Sequence, residues 1–172
     1  PEQRQRLWGI STTDGSSSVL MTHVEPVGYQ TWLDEQTAAV IIKCDSFTLK
    51  KATGGDGPAE MLADNIGRTL RKHPDSGQVL FVDKNVAPWA IASFDVETGT
   101  QSQIMALFPG IEDFEVDPSG RYWMGYESKL YRSNESHTGW ELVEDFQRLG
   151  MSSITRLASS PDGSMLAIVA SP

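Results

Sequence analysis

The chain has 172 residues, 39% of them hydrophobic, with 15 glycines; this is the make-up of a folded domain and excludes wholesale disorder. A formal net charge of −9 leaves no basic surplus for a nucleic-acid duplex, so no nucleic-acid partner is expected. The longest purely apolar run, Met165 to Ala170, is too short to cross a membrane as a helix, and one cysteine excludes an intrachain disulfide.

In chain order, residues 6–22 read as two short strands joined at the turn Thr13-Asp-Gly15. A repeat then begins. Its copies run from Gly28 to Ile42, Leu70 to Val82, Phe114 to Gly125 and Leu157 to Val169, each an extended segment, a tight turn and an apolar run. The turns align at Leu33-Asp34, Pro74-Asp75, Pro118-Ser119 and Pro161-Asp162, in steps of 41, 44 and 43 residues. Pro fixes φ for a turn, and Asp, Ser and Gly accept the bent conformations that follow. The apolar runs are short and rich in β-branched and aromatic residues, as strands are.

Between successive turns lies a second hairpin, so each period supplies four strands, one antiparallel blade. The reading is one all-β propeller of about four blade equivalents. Outer strands fall at 6–22, blades at 27–64, 66–108 and 112–146, and an inner pair at 154–170. Leu62, Ile66 and Leu70 have helical spacing, but Gly67 interrupts them and the repeat phase divides them between two blades, so strands are expected there. A short helical turn is expected near Glu144 to Leu149.

Pro161-Asp-Gly163 followed by Leu166 to Val169, with its degenerate copies, resembles the TolB-like propellers built from PD40 (WD40-like) repeats. The Gly-His and Trp-Asp dipeptides of true WD40 repeats are absent. From Val24 to the end the chain is similar to the C-terminal part of stand-alone bacterial PD40 proteins. The resemblance implies a protein-binding or scaffold module of the cell envelope, periplasmic or secreted, in a propeller of six blades. The chain opens at Pro1 without an initiator Met and in mid-blade, so about two further blades and a leader are expected upstream. The two unfinished ends are also expected to join copies edge to edge as a homodimer.

Catalytic signatures are sparse. No Gly-x-Ser-x-Gly elbow occurs. His23, His73 and His137 fall in separate loops, and with one Cys they do not make a zinc set. Thr53 to Pro58 and Asn134-Glu-Ser136 read as hairpin loops. Cys44 is expected as a buried strand residue, and Trp32, Trp89, Trp123 and Trp140 as packing between blades. No metal or other cofactor is expected. The first functional reading is therefore a non-catalytic binding module, not an enzyme. The alternatives are a hydrolase or lactonase with a metal over the channel, and the propeller part of a peptidase.

The alignment also points to a place. Five and six residues before the turn position stand Arg68 and Thr69, Glu112 and Asp113, Thr155 and Arg156. Equivalent positions of successive blades ring the channel, so Arg68, Glu112, Asp113 and Arg156 are candidates for its mouth. Two readings stand: ion pairs tying blades together, or a mouth that takes a charged peptide or a cation. Trp8 and Tyr29, nearer edges or mouths, are candidates for contact with a protein partner.

Overall fold

Turn glycines at a fixed spacing set the architecture. Gly77, Gly120 and Gly163 stand 43 residues apart and take φ of +70°, +82° and +69°, values that strain any residue carrying a Cβ. Beside them one acceptor gathers the amides of each turn. Asp117 Oδ1 accepts from the Ser119 and Arg121 amides, Asp162 Oδ1 from the Ser164 amide, and His73 Nδ1 from those of Asp75 and Ser76. In the first copy Asp34 does the same for Gln36 and Thr37.

A computed structural model describes residues 4–172. Among them the chain forms five antiparallel sheets. A two-stranded sheet holds β1 (Leu7–Ile10) and β2 (Ser17–Leu20). The first four-stranded sheet runs β3 (Val27–Trp32), β4 (Thr37–Ile42), β5 (Thr48–Thr53) and β6 (Glu60–Ala63). The second runs β7 (Ile66–Lys72), β8 (Val79–Asp83), β9 (Ala90–Asp95) and β10 (Thr100–Ala106). The third runs β11 (Glu115–Val116), β12 (Tyr122–Tyr126), β13 (Lys129–Ser133) and β14 (Trp140–Asp145). A short 3-10 helix (Phe146–Leu149) leads to the last pair, β15 (Ser153–Ser159) and β16 (Leu166–Ser171). The class is the expected one: an all-β propeller of four-stranded antiparallel blades. Where a helix competed, β6 and β7 form instead, separated by Asp64 and Asn65.

Sandwiching between blades explains the apolar runs. All residues of β4 and β8 are buried, Thr37 and Asp83 included, because sheets cover both faces. Four apolar clusters fill the gaps. Met21, Val24 and Val40 join β1–β2 to the first blade; Leu49, Ile66 and Phe81 join the first blade to the second. Phe114, Tyr122 and Met124 join the second to the third, and Leu130, Ile154 and Leu157 join the third to β15–β16. The Trp140 indole N–H donates to the Ala106 carbonyl across one such gap at 2.8 Å, and Trp89 and Trp123 pack against the clusters.

Two expectations fail. Cys44 is exposed, because β4 ends at Ile42 and the cysteine falls in the β4–β5 turn. Trp32 is 44% exposed at the far end of β3, beyond the reach of the inter-blade cluster. The strand β16 differs from β4 and β8: its residues alternate between half-buried and exposed, since only one of its faces meets a blade. β1 and β16 lie in separate sheets, so the described chain does not close on itself as a ring of four blades.

Candidate functional site

First strands of neighbouring blades approach one another, β3 to β7 and β11 to β15. At their starts a cleft of about 160 Å³ opens between β7, the segment 110–113 and β15. Arg68, Glu112, Asp113 and Arg156 all line it, together with Gly125 and Ile154. Tyr29 does not. It is half-buried against Ile41, Leu49 and Ile66 in the gap between the first two blades, and that first blade gives the cleft no side chain.

Charges in the cleft are matched one to one, with one left over. Asp113 Oδ2 lies 3.3 Å from Arg156 Nη1, and Glu112 Oε1 lies 2.6 Å from Lys84 Nζ, which also sits 4.4 Å above the Trp89 ring. The Thr69 hydroxyl donates to the Glu112 carbonyl at 2.6 Å and fixes that backbone. Burial raises the Asp113 carboxyl above its ordinary range, outweighing the pull of Arg156, Arg71 and Arg68 and of the Leu157 backbone amide. Arg68 takes part in no ion pair among the described residues. Its Nε is buried without a hydrogen-bond partner, and so is Asp113 Oδ1.

Three residues further along the strands lies a second layer. Arg71 Nε donates to Glu115 Oε2 at 2.7 Å, Arg71 Nη2 to the Leu157 carbonyl at 3.3 Å, and the Ser159 hydroxyl to Glu115 Oε1 at 2.9 Å. The guanidinium thus bridges β7, β11 and β15. Sequence reasoning passed over these three side chains and Lys84. Arg71 and Glu115 stand three residues before their turn prolines, so the alignment that singled out Arg68 also contains them. Lys84 left no such signal, because it lies just beyond β8 and reaches the cleft only through the fold.

At the opposite ends of the inner strands a larger groove of about 620 Å³ runs between the first two blades, past Asp34, Lys51, Lys72 and Asp95. The histidines remain apart. His73 caps its turn, His137 lies edge-on to Tyr122 at 5.1 Å, and His23 flanks a small hollow beside Glu25. Among the described residues no three His, Cys, Asp or Glu side chains are grouped so as to hold a metal ion.

No protein-family model matches the chain, and no curated protein does. Solved structures do. TolB from Acinetobacter baumannii is similar over 93% of this chain and 42% of its own, at 18% identity and a TM-score of 0.65. A gluconolactonase from Xanthomonas campestris is similar over 93% of this chain and 61% of its own, at 10% identity and a TM-score of 0.61. This chain therefore spans less than two thirds of either protein, and the likeness is one of fold. It also corrects one expectation. The chain was expected not to be an enzyme, yet this arrangement of blades is shared with a gluconolactonase, so the sparse catalytic signatures do not support that exclusion. At 10% identity the likeness does not establish an activity either. The fold this chain shares with TolB and the gluconolactonase is the β-propeller.

Proposed function

We propose that this chain is the channel-mouth part of a PD40-type, TolB-like propeller of the cell envelope, and that its cleft holds an extended peptide segment of a protein partner. One observation carries the reading. Arg68 and Asp113 line a single cleft, and each keeps one buried polar atom without a partner, a donor on one and an acceptor on the other. An unsatisfied buried polar atom costs about 1–3 kcal/mol, and a peptide unit supplies both missing groups, a carbonyl for the guanidinium and an N–H for the carboxylate. Small shifts of the two side chains bring them to it. The volume fits one or two residues, well below the roughly 300–1,000 Å³ of a pocket for a drug-sized ligand.

Panning the folded chain against a displayed peptide library, then titrating the selected peptides calorimetrically, tests this. Arg68→Gln and Asp113→Asn are each expected to weaken selected peptides at least about tenfold, the size of one lost charge-assisted hydrogen bond. Peptides indifferent to both substitutions would move the site elsewhere. The gluconolactonase likeness favours a second reading, a hydrolase acting on lactones at the same mouth. Lactone turnover by the purified chain, lost in the same two variants, would put that reading first.

A further inference from the structure

We infer that the group this cleft takes is a free chain end, a C-terminal carboxylate held by Arg68. The inference deepens the peptide-binding reading above and rests on it. Charge balance comes first. Glu112, Asp113 and Glu115 are each paired, with Lys84, Arg156 and Arg71 respectively. Arg68 is the remaining cation, in a chain whose net charge is −9. An unpaired guanidinium in a small site is matched best by a carboxylate, which accepts two parallel N–H bonds from it.

Shape decides the source of that carboxylate. Arg71, Glu115, Ser159 and the Leu157 carbonyl form a bonded layer three residues further along the strands, and Leu157 also lines the cleft. The cleft itself is small. Its volume of about 160 Å³ leaves no room for a segment to enter, turn and leave. A terminus needs to do neither. Its last residue presents the carboxylate to Arg68 and its amide N–H to Asp113 Oδ1, which places one donor and one acceptor on the two side chains that lack them.

Nitrogen-15 NMR titration of the intact chain, with the Arg68 Nε–H as reporter, tests this on three probes: acetyl-trialanine free acid, its C-terminal amide, and acetyl-Ala-Asp-Ala amide. The free acid is expected to shift the Arg68 signal and the Gly110, Gly125 and Ile154 amides, and to bind at least about tenfold tighter than the amide. Arg68→Gln is expected to abolish that preference, and Arg68→Lys to keep part of it. Equal binding of acid and amide would overturn the carboxylate assignment and leave the peptide site standing. Equal binding of the aspartyl peptide and the free acid would overturn the chain end. No perturbation by any probe would overturn the peptide-binding reading itself.

Discussion

Burial and charge pull the Asp113 carboxyl in opposite directions, and burial prevails, so the native state holds a proton there more tightly than the unfolded chain. The sign follows from linkage. With the native value raised, the unfolded state binds fewer protons between the two values, and this group's contribution to stability falls as pH rises through that window. Asp113→Asn removes the dependence while keeping the shape. The melting temperature of the variant relative to the wild type is therefore expected to rise between about pH 4 and about pH 7. Arg156, left without its partner, is 41% exposed and stays solvated, so its loss weighs little against this. Paired thermal melts at the two pH values check it. A relative melting temperature that falls over the interval would show that the Arg156 pair outweighs burial.

Between elements, the glycine with the least room is Gly125, where β12 meets β15. A Cβ on Gly125 would stand 2.5 Å from both Cβ and Cγ2 of Ile154 and 3.1 Å from its carbonyl oxygen. Neither neighbour is a flexible tip that can swing aside, and Ile154 is buried in the cluster joining these sheets. Gly125→Ala is expected to destabilise by about 1–3 kcal/mol, the usual cost of overpacking. Denaturant unfolding would show this as a lower midpoint with an unchanged slope. An unchanged midpoint would mean that β15 moves away freely. Such a contact leaves no trace in the sequence, because it depends on the distance between two blades rather than on any local pattern. Strand identity is different. The Pro, Asp and Gly turns and the runs of β4 and β8 are local signals, and the all-β propeller class follows from them. The candidate site was legible only where it obeys the repeat: Arg68, Glu112, Asp113 and Arg156 share alignment offsets, whereas Lys84 enters from beside β8. Tyr29 and Trp32 misled for a related reason. Both lie on β3, where alternation tells which face a residue takes but not whether that face meets a blade or water.

For the molecule as a whole, the first and last strand pairs each carry exposed apolar side chains. Trp8 and Ile10 of β1 are 58% and 70% exposed, and Met165 and Val169 at β16 are 71% and 59% exposed. Neither β1 nor β16 contains a charged residue, and each presents an open strand edge, which is a template for pairing. Two copies joined β16 to β1 would complete a four-stranded blade in the order β15-β16-β1-β2. Light scattering on this 172-residue chain is accordingly expected to give about twice the 18.9 kDa of one copy. Val169→Lys, which places a charge on that edge, is expected to return it to a single copy. A monomeric wild type at all concentrations would show that the edges are protected in some other way.

Most bonds between inner strands span one repeat: Thr69 to Glu112 across 43 residues, Arg71 to Glu115 and Ser159 to Glu115 across 44. A molecule wired in that way is divisible, since a blade can be gained or lost in its history with only the seams on either side to be remade. Arg71 is the exception. Its bond to the Leu157 carbonyl spans 86 residues and passes over the third blade altogether. Deleting that blade would bring together two strands that already share a guanidinium, whereas inserting one beside it would tear them apart. That bond therefore opposes the insertion of a blade between β7 and β15.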